Sequence, residues 1–83
     1  MGDFIKGKTL HIFDGYTFQV KITHQDSNNK EKYGPYETIR VFGYEKMKHH
    51  TTEDLSRKIL GRTVQCHVIE RVNDELLICK CAI

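Results

Sequence analysis

The chain has 83 residues, 39% hydrophobic and 29% charged, a balance that fits one small globular domain spanning 1–83 and excludes disorder, a coiled coil and a second domain. Thirteen Lys and Arg against eleven Asp and Glu leave a formal net charge of +2, too little to demand nucleic acid in bulk but compatible with a local cationic patch. No run approaches the roughly 18–20 apolar residues that span a bilayer, the start is charged where a leader is apolar, and Lys6 stands where a myristoylation motif needs Ser or Thr, so no membrane partner is expected.

Residues 3–13 read as a first strand interrupted by Gly7, which marks a bulge or barrel bend, with Leu10 and Ile12 on one face and His11 and Phe13 on the other. Asp14-Gly15 then signals a tight hairpin, Asp14 shaping it by bonding its own backbone. In the second strand, 16–24, Phe18, Val20 and Ile22 alternate with Thr17, Gln19, Lys21 and Thr23, the pattern of a half-buried strand. A polar loop follows at 25–31, and 32–37, which holds the only proline, reads as exposed.

The third strand is 38–44, with Ile39 and Val41 facing one way and Arg40 and Phe42 the other. Residues 44–50 form the most cationic short stretch, with Lys46, Lys48, His49 and His50 around Glu45. Thr51 or Thr52 caps a short helix with Asp54 completing a capping box, acidic residues in its first turn, Arg57 and Lys58 in its last, and Gly61 as its stop. Its narrow apolar stripe, Leu55, Ile59 and Leu60, suits a plug at one end of a barrel. Residues 62–71 form a fourth strand with Val64, Cys66 and Val68 inward, Asn73-Asp74 turns, and 76–83 is the fifth. Three strands, one helix and two strands give a mainly β chain with the order of the five-stranded OB barrel.

Three segments together resemble the staphylococcal-nuclease-like (thermonuclease) domain over about 8–81. They are Ile12-Phe13-Asp14-Gly15-Tyr16-Thr17-Phe18, Ile39-Arg40-Val41-Phe42-Gly43 and Leu60-Gly61-Arg62-Thr63-Val64. The resemblance implies the same barrel. It also implies an ancestral chemistry in which carboxylates hold calcium, a glutamate activates water and two arginines hold the phosphate. That set carries over poorly. Tyr16 stands at the position of the hairpin's second, calcium-binding aspartate, and Lys48 at that of the glutamate. Glu45 matches another metal-binding carboxylate, Arg40 matches the first phosphate arginine, and Asn73-Asp74-Glu75 replaces the turn that carries the second. Calcium takes about six to eight oxygens, and a pocket with Glu45 beside Lys46 and Lys48 repels a divalent ion, so no calcium cofactor is expected.

What replaces the carboxylates is positive. Arg40, Lys46, Lys48, His49 and His50, with Tyr16, Tyr44, Phe42 and Tyr36 on the same side and a helix N-terminus nearby, compose a stacking-plus-charge surface suited to single-stranded nucleic acid at the barrel mouth. A second reading is a protein-interaction adaptor or small oligomer, with the fifth strand offering a free edge. A third is a residual calcium-dependent phosphodiesterase that relies on Asp14, Arg40 and Glu45. Zinc is disfavoured at His49, His50, Cys66, His67, Cys79 and Cys81, because no C-x-x-C pair exists and the cysteines alternate with apolar residues as core thiols do. A Cys66-His67 nucleophile is disfavoured as well, since strand neighbours face opposite ways. Three unpaired cysteines in apolar runs suit a reducing, cytoplasmic setting.

Overall fold

A computed structural model describes residues 3–44 and 51–82. Strands β1 (Phe4–Asp14), β2 (Thr17–Gln25) and β3 (Tyr36–Val41) lead to helix α1 (Thr52–Ile59), and β4 (Thr63–Arg71) and β5 (Leu76–Ala82) follow. They close into a barrel with the neighbour order β1-β2-β3-β5-β4. Every pairing is antiparallel except β3 with β5, and the stretch between those two strands supplies the long crossover that a parallel pair requires. This is the OB-type barrel read from the order of the elements. No helix among the described residues is long and apolar enough to cross a membrane.

Alternation fills the barrel. Phe18 and Val20 of β2 meet Ile39 and Val41 of β3, Val64, Cys66 and Val68 of β4, and Leu77 and Cys79 of β5 in one buried cluster. Gly7 packs tightly against β2, and the ladder shifts register there. A Cβ at this position would lie 2.8 Å from the Cβ of Val20, so only glycine fits.

Several expected details are corrected. Leu10 does not join Ile12 inside: it is 42% exposed, whereas Thr9 is 1% exposed. A second register shift, between Thr9 and His11, inserts an extra residue and reverses which side chains face the core. The helix buries Leu55 and Ile59 as expected, but Leu60 is exposed because α1 stops at Ile59 and Gly61 turns the chain in the left-handed region at φ +76°. The cap is Thr51, whose hydroxyl accepts from the Asp54 N–H at 3.2 Å. Backbone bonds from Gly61 N–H to the Thr9 carbonyl (3.0 Å) and from Thr9 N–H to the Arg62 carbonyl (2.9 Å) fasten the helix end to β1. The free edge expected on β5 is largely absent, since 77–79 pair with both β3 and β4.

The segment 32–37 is not simply exposed either. Tyr33 and Glu37 are buried. Asp3 organises the loop ahead of them, its carboxylate accepting from the N–H groups of Lys30 (2.9 Å) and Glu31 (3.2 Å) and from the Tyr33 hydroxyl (2.7 Å). The Lys30 N–H, followed by the Tyr33 hydroxyl, holds the Asp3 pKa below the ordinary aspartate value. A lowered carboxylate pKa stabilises the fold above the unfolded-state value, and that stabilisation is lost as pH falls through the folded-state value. Below about pH 4, therefore, the loop should loosen before the barrel does. Amide exchange at Lys30 and Glu31 should accelerate on acidification in the wild type and be fast already at neutral pH in Asp3→Asn; protection equal to that of β2 at low pH would contradict this.

Candidate functional site

The hairpin that carries the strongest sequence signal closes with Gly15 and Tyr16 between the paired residues Asp14 and Thr17. Asp14 shapes it as expected, its Oδ1 accepting the Tyr16 N–H at 2.9 Å. The β2–β3 register then places Thr17 opposite Arg40, and the Val41 N–H donates to the Tyr16 carbonyl at 2.8 Å. Two predicted site residues are brought together in this way: the Arg40 guanidinium lies over the Tyr16 ring, 5.8 Å from its centroid.

Arg40 has no carboxylate partner among the described residues. Its Nε is buried without a hydrogen-bond partner there, and so is the hydroxyl of Thr17 on the opposing strand. Leaving such groups unsatisfied costs about 1–3 kcal/mol each. Arg71, by contrast, is fully engaged by Glu31 and Glu37.

Tyr36, Thr38 and Arg40 alternate on the outer face of β3, opposite Lys21, Gln19 and Thr17 of β2. Phe13 and Tyr36, both exposed, line one groove on this face together with Gln19 and Thr38. His11 meets Phe13 edge-on with ring centroids 4.7 Å apart. Phe42 lies beyond the end of β3, its N–H bonded to the Cys79 carbonyl at 2.8 Å and its exposed ring under the Lys80 ammonium at 5.8 Å. The face therefore offers several rings with Lys21, Arg40 and Lys80 among them. At the Tyr36 end the groove is closed by Glu37, Asp74 and Glu75, so an anionic chain is favoured on the Arg40 side.

No protein-family model, curated protein or solved structure matches the chain. The site is accordingly read from its own geometry.

Of the predicted residues, Arg40, Tyr16 and Asp14 converge at the hairpin. Tyr36 shares the outer face but stands four residues along β3, roughly 13 Å from Arg40 at ordinary strand rise. Tyr44 is placed differently, half-buried and packed against the core cluster. Glu45, Lys46, Lys48, His49 and His50 lie outside the described residues. The described residues contain no group of three or more His, Cys, Asp and Glu arranged to hold a metal ion. Phe13, Thr17, Lys21 and Lys80 were not among the predicted binding residues. Phe13 and Lys21 were legible as outward positions of alternating strands, but Thr17 gains its meaning only from the register that sets it against Arg40.

Proposed function

We propose that this barrel is a non-catalytic, staphylococcal-nuclease-like OB module that binds single-stranded nucleic acid across the outer face of β2 and β3. The observation that carries the reading is a guanidinium without a carboxylate partner among the described residues, on a face lined with exposed rings. Phosphate oxygens accept from the Arg40 guanidinium while bases stack on Phe13, Tyr36 and Phe42; stacking tolerates any sequence, because every base presents a π-face. Catalysis is not part of the proposal. Asp14 spends its carboxylate on the hairpin turn, and the neighbouring position that would carry a metal-binding carboxylate is Tyr16, in contact with Arg40.

Fluorescence anisotropy of a labelled single-stranded oligonucleotide tests this. With Lys21, Arg40 and Lys80 neutralising phosphates, log affinity should fall against log salt with a slope of about −2, and Arg40→Ala should flatten it by about 0.7. Tyr36→Ala should cost about 1–3 kcal/mol with the slope unchanged. The oligonucleotide should stay intact with or without calcium. Absence of binding at low salt would sink the proposal, and calcium-dependent cleavage would replace it with the phosphodiesterase reading.

A further inference from the structure

All three cysteines are free, and β4 and β5 bring them together. The antiparallel register sets Cys66 directly opposite Cys81 and sets Cys79 opposite Val68. The Cys66 and Cys81 sulfurs lie 3.4 Å apart, a distance that a modest side-chain rotation reduces to the roughly 2.05 Å of a disulfide. The geometry points to a peroxide-reactive dithiol in which Cys66 and Cys81 close into a cross-strand disulfide, with Cys79 left as a thiol.

Selectivity follows from the ladder. Residues directly opposite in an antiparallel pair have Cα atoms about 4.5–5.5 Å apart, inside the window of about 4.4–6.8 Å that a disulfide accepts. Cys79, two residues along β5, is diagonal to Cys66, and diagonal neighbours stand about 7–8 Å apart, outside that window. All three thiols cluster, yet only one pair can close without moving the backbone.

The thiols differ in role. The Cys66 pKa is lowered, by the neighbouring thiols of Cys79 first and Cys81 second, against the opposing effect of burial. Cys79 and Cys81 are both pushed up, chiefly because each is bonded to the Cys66 sulfur. One thiolate thus faces a protonated partner that can resolve its oxidation product. Cys66 is 1% exposed, so entry is from the half-buried Cys81 side, where 80–82 extend past the last β3 partner of β5.

Each step balances. The Cys66 thiolate attacks one oxygen of hydrogen peroxide and breaks the O–O bond, giving a sulfenic acid and hydroxide, which takes up a proton and leaves as water. The Cys81 sulfur then attacks the sulfenic sulfur, losing its proton; the S–S bond forms as the S–O bond breaks, and hydroxide leaves with that proton as water. Two thiols and one peroxide give one disulfide and two waters.

Trypsin reads the outcome directly, because cleavage after Arg62, Arg71 and Lys80 puts the cysteines on separate peptides, 63–71, 72–80 and 81–83. The full chain is treated with hydrogen peroxide, denatured with iodoacetamide to cap remaining thiols, and digested. The intact mass should fall by about 2 Da for the two hydrogens removed, with 63–71 linked to 81–83 and Cys79 alkylated. Dithiothreitol should reverse the change. Cys79→Ser should retain the cross-link and Cys81→Ser should abolish it. A link between 63–71 and 72–80, a cross-link only between chains, or three alkylated cysteines after peroxide would each overturn the proposal. The wild-type peptide map decides even if a variant does not fold.

Discussion

Phe18→Ala should lower the stability of the fold by about 3–5 kcal/mol, a large share of what a chain of this length has. Phe18 is 0% exposed and is the largest fully buried side chain, paired with Ile12 of β1 on one side and Ile39 of β3 on the other. Truncating a buried phenylalanine removes its transfer free energy and leaves a cavity that a closed barrel cannot collapse, at a cost of about 3–5 kcal/mol. A domain of 83 residues has roughly 4–12 kcal/mol of stability to lose. Phe18→Leu, which keeps most of the volume, should cost under about 1.5 kcal/mol and remain folded. Urea melts followed by circular dichroism separate the two variants. Equal midpoints for both, close to wild type, would show that β2 does not pack as described.

Phe18 was legible as core because β2 alternates without interruption from Thr17 to Ile22. The same reading failed on β1 for a local reason: the shift between Thr9 and His11 adds one residue, and in a strand of period two one residue exchanges inside for outside. Helix termini were legible because a cap is a short-range object, with Thr51 and Asp54 three residues apart. The candidate site was only half legible. Arg40 and Tyr16 could be named from sequence, but that no described carboxylate pairs with Arg40 depends on where those acidic residues end up. Glu31 and Glu37, near it in sequence, turn instead to Arg71, 40 and 34 residues away. Contacts of that span leave no periodic trace, and the burial of Tyr33 and Glu37 was missed for the same reason. Near the other end of β3, Glu37 is thus already occupied by Arg71.

That occupancy has its own consequence: Arg71→Met should destabilise the protein nearly as much as a core truncation. The Arg71 guanidinium lies against the Tyr33 ring, 5.6 Å from its centroid, and donates to Glu31, to Glu37 Oε2 at 3.1 Å and to the carbonyls of Asn73 (3.1 Å) and Asp74 (3.2 Å). Glu37 is 5% exposed, and apart from Arg71 its only hydrogen bond among the described residues comes from the Gly34 N–H at 3.1 Å. Removing the cation strands a buried carboxylate, and breaking a buried pair on one side costs about 3–5 kcal/mol. Most of that cost is the uncompensated charge rather than the lost contact, which makes it separable. Glu37→Gln in the Arg71→Met background should recover much of the loss, because a neutral amide keeps the bond from Gly34 without the charge. Urea midpoints for the single and double variants test this. If the two variants are equally destabilised, Arg71 acts through packing on Tyr33 alone, and the acidic side chains are not what it holds in place.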